Sequence, residues 1–152
     1  MSVPGLSLLC LAFALCAGHA VAMPALQDLT EADVAQPCAC TFGATAGKAL
    51  LYWPQPAGDA AYLREPGGLR KLRLFSARNF PEPRDPPRPG DRQVLMFSDG
   101  TWHVQAVGEV VQVCRPKARK CAGTVLRNRL VVQWAGREKV EIDGWGRGSC
   151  RE

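Results

Sequence analysis

From Lys48 to Asp143, apolar and polar residues alternate with a period of two, and turn signals break the run about every 8–12 residues. No helix-length segment after Ala22 keeps a 3.6-residue period. A chain patterned this way buries one face of each short segment, and strands do that where helices would not. The predicted strands cover 49–53, 60–64, 69–75, 92–98, 101–107, 109–114, 123–126, 129–135 and 139–143. Pro66-Gly67-Gly68 and Asp99-Gly100 mark tight hairpin turns; Gly108 reads as a strand break and Arg127-Asn128 as a turn. The expectation is an all-β domain, a small antiparallel β-barrel or sandwich of eight or nine short strands, stapled by disulfides.

Side-chain phase gives a first core. Leu72 and Leu74 face away from Lys71 and Arg73; Trp102, Val104 and Ala106 share a face, as do Leu130, Val132 and Trp134. Trp102 and Trp134 are therefore expected inside, whereas phase leaves Trp53 and Trp145 undecided. Residues 79–90 read NFPEPRDPPRPG, and five prolines there forbid a central strand or a helix interior, so an extended loop is expected.

The N-terminus follows a different rule. Residues 2–22 carry no Asp, Glu, Lys or Arg, and the apolar run from Leu6 to Ala17 is shorter than the ~20 residues of a membrane span. Ala20-Val21-Ala22 has the small-x-small form of a signal-peptidase site. The sequence thus predicts a signal peptide over 1–22, a flexible lead-in over 23–37 and one β domain over 38–152, with no transmembrane segment after cleavage. Thr30 and Asp33 have the spacing to cap one short turn in the lead-in.

Export sets the meaning of the cysteines, because disulfides persist in an oxidising compartment. Five remain after Ala22: Cys38, Cys40, Cys114, Cys121 and Cys150. An odd count leaves one thiol over, hence a monomer with a free thiol or a disulfide-linked dimer. Cys114 and Cys121 bracket a basic loop and are expected to pair; Cys150 is expected to pair with Cys38 or Cys40. Cys38-Ala39-Cys40 also admits a thiol-redox or soft-metal site.

The charge is lopsided. Residues 23–63 hold one Lys against four acids, whereas 64–152 hold eighteen basic against ten acidic residues. Arg115, Lys117, Arg119, Lys120, Arg127 and Arg129 form the candidate ligand-binding patch for an anionic envelope polymer. Catalytic signatures are sparse. His103 is the only histidine after Ala22, there is no Gly-x-Ser-x-Gly elbow or His-Glu-x-x-His motif, and no phosphate-cradling glycine loop.

On Cys38-Ala39-Cys40, Gly90-Asp91, Val113-Cys114, Cys121 and Gly146 to Cys150, the chain resembles a loose group of small exported bacterial Cys-x-Cys proteins. It departs from that group at Gly148-Ser149-Cys150, where a second cysteine is expected; the missing partner implies that Cys38 or Cys40 stays unpaired. In architecture alone it is also similar to periplasmic inhibitors of C-type lysozyme. The expected function is an exported, non-enzymatic binding module without a cofactor. Its expected partner is a protein, which it would inhibit, or an anionic envelope polymer, not nucleic acid. The alternatives are a thiol or metal protein built on Cys38 and Cys40 and, third, a hydrolase.

Overall fold

The computed structural model describes residues 22–33, 38–45, 48–54, 58–82, 86–113 and 123–150, with backbone only at Cys38, Ser149 and Cys150. The expected signal peptide up to residue 21 lies outside them, as do the expected Cys114–Cys121 bridge and the loop it would staple.

Eight strands follow one another: β1 (Cys38–Gly43), β2 (Leu51–Pro54), β3 (Ala60–Glu65), β4 (Gly68–Phe80), β5 (Arg92–Ser98), β6 (Trp102–Gln112), β7 (Thr124–Trp134) and β8 (Val140–Cys150). Each pairs antiparallel with the next, and β8 pairs back onto β1 to close a barrel. Closure removes the sheet edges that an open meander would expose.

The period-two pattern decides the interior. Phe42, Leu51, Trp53, Leu63, Leu72, Leu95, Phe97, Trp102, Val104, Leu130 and Val132 point inward and form one apolar cluster. Trp53 packs its edge on Phe97 at 6.2 Å, and its Nε1–H donates to Gly58 O at 2.9 Å. Trp102 is fully buried beside Trp134, with ring centroids 6.5 Å apart. Trp145 alone of the four tryptophans faces outward.

Two expected interruptions are absent. Gly108 and Asn128 lie inside continuous strands, opposite each other across β6 and β7. Gly108 faces inward, where a Cβ would meet the Phe42 ring at 3.4 Å and Leu126 at 3.6 Å, ordinary contact distances. Asn128 points inward and is buried, and neither end of its amide has a partner among the described residues. At the unpredicted β1, Cys40 and Phe42 occupy alternate positions on one face, as a strand requires. β8 continues past Asp143 with glycine at inward positions 144, 146 and 148. β4 also outruns expectation, reaching Phe80, so the proline-rich connection begins at Pro81.

Polar contacts finish the ends. Asp99 Oδ1 accepts from Thr101 and Trp102 N–H, and Gly100 supplies the positive φ of +92° that the hairpin needs. The buried Glu65 carboxylate takes Arg70 Nε across the β3–β4 turn.

The lead-in, expected to be loose before Cys38, makes specific contacts over residues 22–33. Met23 and Leu26 pack on the core cluster, and Leu29 N–H donates to Ala49 O at 2.8 Å. Asp33 accepts from Thr30 N–H and Oγ–H, closing the turn, and from Arg64 Nε at 3.0 Å. The Arg64 hydrogen bond, then Thr30 N–H, holds the Asp33 carboxyl well below the usual carboxylate range. A depressed carboxylate stabilises the fold above its unfolded pKa of about 3.9, and that contribution fades as pH falls towards the folded value. Docking is therefore expected to hold at neutral pH and to weaken progressively below about pH 4. Asp33→Asn should reproduce the loss at pH 7, raising amide exchange over 27–33 while strands β5–β7 stay protected. Unchanged exchange would show that apolar contacts alone hold the segment.

Candidate functional surface on β4

With its interior occupied by the core, the barrel offers its outer wall to a ligand. Antiparallel register lays outward residues in rows across the strands. One row runs Phe80, Arg92, Glu109, Arg127 and Trp145; the next runs Arg78, Val94, Val107, Arg129 and Asp143. A third runs Ser76, Met96, Gln105, Val131 and Glu141.

The two described members of the expected basic patch sit in these rows, and both are neutralised. Arg127 meets Glu109 at 2.9 Å; Arg129 meets Asp143 at 2.7 Å and Glu141 at 3.5 Å. Asp143 raises the Arg129 pKa further, chiefly through its hydrogen bond. Arg115, Lys117, Arg119 and Lys120 lie outside the described residues.

β4 carries the opposite arrangement. Before its bulge it shows Leu69, Lys71, Arg73 and Phe75 outward; after it, Ser76, Arg78 and Phe80. The bulge between Leu74 and Ser76 places Phe75 and Ser76 on the same outer side, which keeps the aromatic ring out of the core. Among the described residues, Lys71, Arg73, Arg78 and the neighbouring Arg92 make no ion pair. Leu69, Phe75 and Phe80 are 43%, 59% and 53% exposed, three of the five large apolar side chains left open to solvent among the described residues. Sequence reasoning saw Lys71 and Arg73 only as the wet side of a strand. The missing signal was the bulge, together with the cross-strand pairing that neutralises Arg127 and Arg129 on β7, whereas among the described residues Arg70 is the one β4 cation that meets a carboxylate, that of Glu65.

Two depressions flank this strand. An apolar one of ≈ 180 Å³ is lined by Phe75, Met96, His103, Gln105, Val131, Gln133 and Lys139, together with Phe97 and Val104. A polar one of ≈ 370 Å³ holds Lys71 and Arg73 with Ala60, Ser98, Asp59 and Asp99, and neither acid is within ion-pair distance of those cations. Asp99 Oδ1 is already engaged by the hairpin N–H groups. His103 is exposed on the outer wall opposite Ser98, whose Oγ accepts from Gly100 N–H at 3.0 Å.

The cysteines divide by strand register. Cys40 is a free, half-buried thiol that packs against the core cluster, with Gly148 rather than a cysteine across from it. Burial pushes its pKa up to about 11, so the thiolate that redox chemistry or a soft metal needs is disfavoured. Cys38 lies in register with Cys150 across the closing seam. Among the described residues no three His, Cys, Asp or Glu side chains converge as metal ligands.

The fold and surface together define a closed eight-stranded antiparallel barrel with one cationic, aromatic-bearing strand on its outer wall. Comparison with family models, with curated proteins and with solved structures found no match for this chain.

Proposed function

We propose that this protein is an exported, non-enzymatic binding module that takes an anionic envelope polymer along the outer face of β4. The observation that carries this is the run of Lys71, Arg73 and Arg78, without an ion pair among the described residues, on a wall whose Arg127 and Arg129 are already neutralised. A cation with no acidic partner keeps its field for a ligand. Export gives the ligand its compartment and the cysteines their chemistry. Cys38 stands in register with Cys150 across the closing seam, which makes it the favoured partner, although no cysteine pair among the described residues lies at disulfide distance. Cys40 is then the odd thiol.

The test is binding of residues 23–152 to soluble poly(glycerol phosphate), with neutral dextran as the control. Binding should weaken steeply as salt rises. The triple variant Lys71→Glu, Arg73→Glu, Arg78→Glu should lose about tenfold or more in affinity. Arg127→Gln with Arg129→Gln should change it by less than about threefold, because those charges already face carboxylates. Equal losses in the two variants, or salt-independent binding, would move the site off β4.

A further inference from the structure

We infer that the anionic ligand met by β4 is a lipid surface, and that this strand lies flat in the headgroup region of an anionic bilayer. The inference rests on the polyanion reading of the same strand and adds the apolar half of that face. A soluble polyphosphate needs cations alone, yet β4 sets Leu69, Phe75 and Phe80 on the same outer face as Lys71, Arg73 and Arg78. Along a strand, side chains on one face recur about every 6.6–6.8 Å, so the face runs Leu69, Lys71, Arg73, Phe75 and, past the bulge, Ser76, Arg78, Phe80, with an apolar anchor at each end and one in the middle. Amphipathic surfaces that rest on membranes have this composition: basic groups stay with the phosphates while aromatic rings enter the boundary with the acyl chains. The apolar depression beside Phe75 continues that surface through Met96 and Val131 onto β5 and β7.

The barrel rests on such a surface rather than spanning it. A spanning barrel needs an apolar band all round its outside. Here the outward rows of β6–β8 carry Glu109, Arg127, Arg129, Glu141 and Asp143, while the apolar residues fill the inside. Opposing charges do lie near the contact: the exposed Glu82 just beyond Phe80, and Asp59 and Asp99 in the depression that holds Lys71 and Arg73, neither within ion-pair distance of those cations; Arg92, in register with Phe80, adds a further cation on that side.

The experiment uses residues 23–152 with vesicles of phosphatidylcholine alone, vesicles containing phosphatidylglycerol, and soluble poly(glycerol phosphate). Sedimentation should show binding to the anionic vesicles and none to the neutral ones. Phe75→Ser with Phe80→Ser should lower vesicle binding about tenfold or more and leave binding to the soluble polymer unchanged. Both side chains are exposed, and an unchanged melting temperature shows that the variant is folded. A second variant, Phe75→Trp, should shift its emission to the blue on anionic vesicles and be quenched by brominated acyl chains. If the serine pair binds vesicles as well as the parent does, or the new tryptophan stays unquenched, the lipid inference is overturned and the ligand is a soluble polymer. If the parent binds neither anionic probe, the polyanion reading itself falls.

Discussion

Gly146→Ala is expected to destabilise the barrel by about 3 kcal/mol, more than an added methyl group would at any exposed position. The inward face of β8 runs Gly144, Gly146, Gly148, and the backbone of β1 lies directly over the first two. A Cβ on Gly146 would sit 2.1 Å from Thr41 O, and one on Gly144 only 1.9 Å from Gly43 O. Both obstacles are main chain, so no rotamer change relieves them; the closing seam must separate instead. Gly148 is the internal control, because its added Cβ would meet Cys40 Sγ at 3.4 Å, close but against a side chain. Gly148→Ala should therefore cost less than about 1 kcal/mol. Urea unfolding followed by tryptophan emission measures both. Equal losses would mean that β1 does not approach β8 as closely as the seam requires.

Trp102→Ala should cost about 3–5 kcal/mol, enough to lower the melting temperature by more than about 10 °C in a domain of this size. Trp102 is fully buried at the start of β6, directly across from Trp134, whose outer side is met by the Arg137 guanidinium at 5.8 Å. Truncation empties the centre of that end of the barrel. The Trp102 indole N–H is buried without an acceptor among the described residues, a debt of about 1–3 kcal/mol in the folded state. Trp102→Phe keeps most of the ring volume and removes that donor. It should thus cost less than half as much as alanine. A phenylalanine variant as unstable as the alanine one would show that the indole N–H finds a partner, such as an ordered water.

Much of the barrel could be read from periodicity, because inward residues such as Leu72, Val104 and Val132 alternate cleanly with polar neighbours. The rest was hidden by residues that signal two things at once. Cys38-Ala39-Cys40 drew attention as thiol chemistry and concealed the period-two start of β1. Gly144-Trp145-Gly146 resembles a turn, yet it is a strand whose inward side chains have been reduced to hydrogen so that β1 can pass close. Arg127-Asn128 has turn composition, but register sends Arg127 out to Glu109 and Asn128 into the core. The candidate surface was less legible still. Basic residues can be counted in a sequence, but which of them are cancelled depends on neighbours across the sheet. Arg129 meets Asp143 fourteen residues away, whereas Arg73 meets no carboxylate at ion-pair distance among the described residues.

The seam between β1 and β8 also makes this fold a ring in the topological sense. Every strand pairs with its sequence neighbours, and the last pairs with the first, so no pairing depends on where the polymer is cut. Cys38 and Cys150 stand side by side across that seam. A short peptide joining them, with a new opening at the Asp99–Gly100 hairpin, would keep all eight ladders while moving both chain ends to the opposite rim.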